Sequence, residues 1–318
     1  MPNKHNDKYR HKFKKSTYKV KNWAEYNDAL RKRGDITIWF TDEAIRTWVP
    51  EKTKKRGRPR EYSNLAIETC LFLRMVFSLP LRQTEGFANS LVKLMNLDLA
   101  VPDYSTLSKR SISLELSCLA QTLTPGSHVI VDSTGLKVYG GSEWNQENHS
   151  IKPKRTWGKL HFAVDEKHQI IAYDITDNSK GDPTTAVDLL AHIKHSFKVF
   201  MGDGAYDSFA LNAAILTAQP DAKIVIPPPS TAIVSPERNA QRDEHIRNIE
   251  EAGRMAWQKK NNYGIRSHVE QGVLRYKKRV GPSWRARELP QQKTEGGIGV
   301  RVLNRMTSLG MPVSVKNV

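Results

Sequence analysis

Apolar positions follow two regimes along the chain. From about residue 63 to 119 they recur at helical spacing. Ser63 is placed to cap a helix running to about Phe77, ahead of the Leu79-Pro80 break. A second helix fits Arg82 to Met95, with Phe87, Leu91 and Leu94 on one face. A third begins near Asp103 and runs to about Leu119, offering Leu107, Ile112, Leu114 and Leu116 for packing. Three helices with short connections predict a small helical domain of helix-turn-helix type. From His128 the period changes. His128 to Asp132 is a short β run, and Leu160 to Val164 forms a hairpin with Gln169 to Thr176 around the turn at Asp165 to His168. A helix over Thr184 to Phe197, a strand ending at Gly202-Asp203-Gly204, a helix over Ser208 to Ala218 and a strand over Lys223 to Ile226 follow. Glu237 to Arg279 reads as largely helical with a break at Asn261-Asn262, and a last helix fits Leu289 to Leu309. The order β-β-β-α-β-α-β-α predicts a mixed α/β layer architecture. The expected division is a basic, partly disordered arm over 1–62, a small helical domain over 63–122 and an α/β domain over 123–318.

Charge narrows the partner. Lys and Arg number 50 against 33 acids, a formal net charge of +17 over 318 residues. An excess of that size implies a polyanion, above all nucleic acid. Residues 1–60 hold 18 Lys/Arg and 7 Asp/Glu, so +11 lies in the first fifth of the chain. Residues 1–22 are polar and basic, and are expected to be disordered when free. Two cysteines, Cys70 and Cys118, exclude a disulfide scaffold and a cysteine zinc cluster. The N-terminal segment has no apolar run of the secretory type, and the apolar stretch Leu65 to Leu79 is broken by Glu68 and Arg74. A cytoplasmic, nucleoid-associated protein with no membrane span is expected.

Two aspartates stand out by position. Asp132 follows Val129-Ile130-Val131, and Asp203 follows Val199-Phe200-Met201 between two glycines. A carboxylate at the end of a buried strand is rigidly placed, and two on adjacent strands repel unless a divalent cation lies between them. Each, taken alone, also suits a turn. A third element is more specific. At about 100° per residue, Tyr263, Arg266, Glu270 and Lys277 fall in one helical stripe about 60° wide. An acid with a phenol and two cations suits a metal site that also holds phosphate. An exposed helix with an Arg266–Glu270 pair explains the spacing alone more simply.

The spacing Y-x2-R-x3-E-x6-K, met in full by these four residues, resembles the signature of bacterial insertion-sequence transposases of the DDE class. The surroundings of Asp132 (Val-Asp-Ser-Thr-Gly-Leu-Lys) and Asp203 (Gly-Asp-Gly-Ala-Tyr-Asp) are similar to those of the first and second acids of that class. Arg56-Gly57-Arg58-Pro59, Leu79 to Gln83, Val101 to Leu107 and Leu303 to Met306 resemble one large family within it, in the same order. The resemblance runs from about residue 56 to 313. It implies an RNase H-like mixed sheet with Asp132, Asp203 and Glu270 as catalytic, metal-binding acids. It implies two Mg²⁺ ions, with Mn²⁺ as substitute, and Tyr263, Arg266 and Lys277 on phosphates of the DNA. Binding of the terminal inverted repeats, metal-dependent cleavage and strand transfer follow, with a homodimer holding two ends and target DNA. A DNA-binding protein with an inactive domain, or a nuclease without strand transfer, are the competing classes.

Other side chains are weighed beside these. Arg56 and Arg58 lie in a Gly-Arg-Pro strip of AT-hook form, which is also what a flexible basic linker contains. Tyr104, Ser105, Thr106, Lys109 and Arg110 lie on the third helix, the candidate reading helix for the inverted repeat. Trp144 and Trp157 are candidates to stack on an unpaired base, although packing explains each of them more simply. Asp165, Asp182 and Asp207 are expected in a turn or as helix caps.

Overall fold

In a computed structural model, the structure describes residues 17–51, 59–114, 116, 127–138, 157–235 and 239–317. A six-stranded sheet organises the C-terminal two thirds. It is built from β2 (His128–Val138), β3 (Trp157–Val164), β4 (Ile170–Asp177), β5 (Val199–Met201), β6 (Lys223–Val225) and β7 (Ser283–Trp284). Its order is β4-β3-β2-β5-β6, with β7 beside the far end of β2. The β4-β3-β2 half is antiparallel and the β2-β5-β6 half parallel. This mixed sheet agrees with the α/β class expected and with an RNase H-like domain. Strand β2 is the hinge between the two halves, and Asp132 sits in it opposite Phe162 of β3.

Alternation along β2 sends its side chains to two different cores. Val129 and Val131 join Phe200 and Ile224 under α7 (Asp182–His192) and α8 (Phe209–Ala218). Ile130 and Leu136 join Phe162, Met201 and Val225 on the other face. That face is covered by α10 (Ser267–Arg279) and α11 (Leu289–Leu309), through Val269, Tyr276, Ile298 and Val302. Between α8 and α10 runs α9 (Ala240–Lys260).

The helical region is α4 (Asn64–Val76), α5 (Leu81–Leu94) and α6 (Tyr104–Arg110). Ser63 caps α4 as its sequence requires, its Oγ accepting from Ala66 N at 3.0 Å. The third helix is shorter than the pattern suggests. It ends at Arg110, where Ser111 turns its hydroxyl onto the Ser108 carbonyl and Thr294 of α11 takes the Ser111 carbonyl. Leu94, expected on the packed face of α5, is 79% exposed, and Thr84, Ala88, Leu91 and Val92 are buried instead. No break in packing separates this region from the sheet. Ile67 and Leu73 of α4 share one apolar cluster with Leu303 and Met306 of α11. A buried Arg301–Glu68 ion pair ties the same two helices.

Residues 17–51, expected as part of a loose arm, are folded. Strand β1 (Tyr18–Val20) pairs antiparallel with β8 (Ser314–Lys316). Helices α1 (Trp23–Lys32), α2 (Ile36–Trp39) and α3 (Asp42–Arg46) follow. Asp35 and Thr41 cap the last two, and Trp39, Phe40 and Trp48 are buried. These aromatic anchors gain their burial from tertiary packing on α4, through Trp39 against Phe72. No single described helix is long and apolar enough to cross a membrane.

Candidate active site

Consecutive residues of β2 build two different polar clusters, one on each face of the sheet. Asp132 points to the α10 side. Its Oδ1 accepts from the Ser133 backbone N–H at 2.9 Å, which fixes the carboxylate rotamer. Its Oδ2 lies 3.7 Å from the Arg266 guanidinium, and the same guanidinium bonds Glu270 one turn further on. Asp203 follows β5, on the neighbouring parallel strand, and takes the Ala205 N–H at 2.9 Å in a tight turn. Gly202 leaves little room for a side chain there, since a Cβ would meet the Tyr206 Cβ, Cγ and Cδ2 at 3.1 Å.

Burial is the main force on Asp132. It pushes the carboxyl from 3.8 up to about 6, and the charges of Asp203 and Glu270 add to the rise. The Ser133 N–H and Arg266 oppose it without cancelling it. The three acids therefore feel one another, and Arg266 serves as counter-charge to two of them.

The other residues of the predicted stripe divide in role. Tyr263 and Arg266 lie in a 3₁₀ turn (Tyr263–Arg266) that leads into α10, not in the helix itself. Tyr263 donates its hydroxyl to the Gly202 carbonyl at 3.1 Å, so it braces the Asp203 turn. Burial pushes its phenol up to about 12, against the pull of Arg266. Lys277 is half-buried two turns beyond Glu270 and makes no ion pair with a described residue.

Ser133 points the opposite way, to α7. Its hydroxyl donates to Asp182 Oδ2 at 3.0 Å. Asp182 Oδ1 also takes Lys159 Nζ at 3.1 Å, and Lys159 reaches the Lys180 carbonyl as well. Asp182 thus does not cap α7, whose N-cap is Gly181. Asp207 is not a cap either, because it is held by Arg242 in a bidentate pair at 2.9 Å. Asp165 stays in its hairpin turn, accepting from Lys167 and Gln169 N–H groups. Ser133, Tyr206 and Lys159 were not singled out by the sequence. The only local signal for Ser133 is its place next to Asp132.

Elsewhere, α6 presents fewer free groups than its sequence suggests. The Ser105 and Thr106 hydroxyls are bound to Asp103, and Arg110 reaches the Tyr62 carbonyl at 3.0 Å and Asn64 Oδ1 at 2.6 Å. Tyr104 and Lys109 remain exposed. Trp157 is 36% exposed at the start of β3, with the Lys137 ammonium 5.8 Å from its ring centre. Arg56, Arg58 and Trp144 lie outside the described residues.

The donor set at Asp132 suits a hard divalent cation. Carboxylate oxygens are what such cations take, and a carboxyl forced upward by burial and two neighbouring acids gains from one. Among the described residues no three His, Cys, Asp or Glu side chains close into a ligand cluster. Arg266 stands between two of the acids. Comparison with known families gives two matches: a model described as Transposase DDE domain matches residues 123–304, and a second with the same description matches residues 31–141.

Proposed function

The chain belongs to the DDE-type insertion-sequence transposases, and from that premise we propose that it binds the inverted repeats of its element and cuts and joins DNA at Asp132, Asp203 and Glu270. The observation that carries the site assignment is the Arg266 guanidinium, paired with Glu270 and 3.7 Å from Asp132, beside the parallel strand that leads to Asp203. Divalent cations held by those carboxylates, two Mg²⁺ or Mn²⁺ in their place, would supply Lewis-acid stabilisation of the attacking and leaving oxygens. The protein does the rest. β2 and β5 hold the two aspartates at fixed points of the sheet, and Tyr263 braces the second through Gly202. Arg266 is a planar cation beside the acids, suited to a phosphate oxygen, and Lys277 is placed for a flanking phosphate. Cleavage forms a bond from water to phosphorus and breaks the bond to the 3′-oxygen. Strand transfer repeats the exchange with the freed 3′-hydroxyl as nucleophile. Two ends handled together call for a homodimer.

Glu270→Gln keeps size and helix position and removes one charge. Cleavage and strand transfer of an end duplex should vanish in Mg²⁺ and Mn²⁺, while gel-shift binding of that duplex persists. Strand transfer at the wild-type rate would remove Glu270 from the chemistry.

A further inference from the structure

The region in front of the sheet contains a helix pair whose geometry the sequence did not single out. α4 and α5 are joined by residues 77–80 and are bent by 110°. A four-residue turn and an angle near a right angle are the marks of a helix-turn-helix pair. The next connection, residues 95–103, is longer, and α6 has seven residues. In such a pair the second helix is the one presented to the major groove. Here the second helix is α5.

The faces of α5 divide cleanly. Thr84, Ala88, Leu91 and Val92 are buried. Arg82, Gln83, Gly86, Asn89, Ser90 and Lys93 are exposed on a polar side, with Leu94 exposed just beyond its edge. At about 100° per residue, those six fall within a stripe about 120° wide. The stripe holds two cations, two amides, a hydroxyl and a glycine, with no acid and no apolar residue. Glu85, the acid of this helix, is turned aside: its Oε2 takes the Tyr104 N–H at 2.9 Å. Arginine and the amides are the side chains that pair in two-point fashion with guanine and adenine edges.

Gly86 carries the argument further. A glycine inside a helix is unfavourable relative to alanine, and it is usually repaid by a neighbour that needs the space. Here a Cβ at Gly86 would meet nothing within 4 Å. No described residue makes use of the missing side chain, which lies in the middle of the exposed polar stripe. A bound surface that approaches the helix backbone closely would use it. The base of the helix is firm. α4 is buried along most of its length and held by the Arg301–Glu68 pair, and Arg82 lies over the Tyr104 ring at 4.3 Å.

We propose that α5, not α6, reads the inverted repeat, by laying the Arg82–Gln83–Gly86–Asn89–Ser90–Lys93 stripe in the major groove. This rests on the reading of the chain as a transposase that binds its own ends. Its test uses the full chain, a labelled duplex carrying the inverted repeat that flanks the coding sequence, and a scrambled duplex of equal length. Gln83→Ala/Asn89→Ala should lose about 10- to 100-fold in affinity for the end duplex and keep its affinity for the scrambled one. Gly86→Leu should hold or raise the thermal transition and still lose end affinity by tenfold or more (~10-fold). That combination is not produced by damage to the fold. Lys109→Ala, on α6, should weaken both duplexes alike. Wild-type discrimination that survives in both α5 variants would overturn the inference alone, as would discrimination lost only in the α6 variant. A wild-type chain that binds both duplexes equally would take down the end-binding reading along with it.

Discussion

Asp132 and Ser133 are consecutive in one strand, yet they look into opposite environments. On the Ser133 side the charges are matched. Asp182 has Lys159 and the Ser133 hydroxyl, and Lys159 has a carbonyl in addition. On the Asp132 side one guanidinium serves both Asp132 and Glu270, Asp203 adds a third negative charge, and Asp132 is pushed up to about 6. Both clusters are half-buried and lie within one residue of each other along the chain. The difference is therefore one of charge balance, not of depth. A balanced cluster fixes geometry; an unbalanced one is poised to take up a cation and the phosphate that comes with it. The fold tolerates the imbalance because both neighbouring layers are well packed.

The largest effect should come from removing the imbalance at its centre. Asp132→Asn takes away the charge that burial penalises. It should abolish cleavage and make the protein more stable at pH 7.5. The sign follows from the raised carboxyl. Between 3.8 and about 6 the folded chain holds a proton that the unfolded chain has released, so wild-type stability is gained as pH falls through 6 and is fully gained below 3.8. The displacement corresponds to on the order of 2–3 kcal/mol. Wild-type unfolding in urea should accordingly show more stability from this group near pH 4.5 than at pH 7.5, and Asp132→Asn should lack that component. An Asn variant less stable than wild type at pH 7.5 would mean that the Arg266 pair outweighs burial.

Arg266→Ala breaks the comparison from the other direction by making the unbalanced side more acidic. A guanidinium bonded to Glu270 and 3.7 Å from Asp132 competes with any cation for those oxygens. Its removal should tighten Mn²⁺ binding several-fold, read by electron paramagnetic resonance of free Mn²⁺. Cleavage should fall by about 10- to 100-fold through loss of phosphate positioning. Weaker Mn²⁺ binding would show that Arg266 holds the acids in place and does not compete for them.

The parts of this molecule that were legible in the sequence are those set by local rules. The helix from Ser63, the hairpin after β3 and the last helix follow from period, cap and turn chemistry. Asp203 follows from a short β run and Glu270 from its spacing to Tyr263, Arg266 and Lys277, whereas Asp132, expected at a strand end, lies inside β2, which pairs with β3 on to Lys137. What was not legible depends on partners far along the chain. Asp182 and Asp207 both look like helix caps locally, but they are claimed by Ser133 and Arg242, 49 and 35 residues away. Trp39, Phe40 and Trp48 sit in a highly charged stretch, and only their packing on α4 and its neighbours makes helices of it. The face of α5 was misjudged because Leu94 fits the apolar period while standing past the edge of the packed layer.

The smallest effect should come from the balanced side. Ser133→Ala keeps the backbone N–H that holds Asp132 and removes the hydroxyl that donates to Asp182. Asp182→Ala removes the acceptor and leaves Lys159 with the Lys180 carbonyl alone. Each lost hydrogen bond is worth about 1 kcal/mol, so the thermal transition should drop by a few degrees (~2–4 °C for a chain of this size). If the Ser133 anchor sets the angle of the Asp132 carboxylate, cleavage should also slow by about 3- to 10-fold at saturating DNA, with end binding unchanged. The concentration of Mn²⁺ giving half-maximal rate should rise in step. Ser133→Thr, which keeps the hydroxyl, should recover most of both. A lower transition temperature with an unchanged rate and an unchanged Mn²⁺ requirement would make the cluster a packing feature of the sheet. The link between the two faces through one peptide of β2 would then be broken.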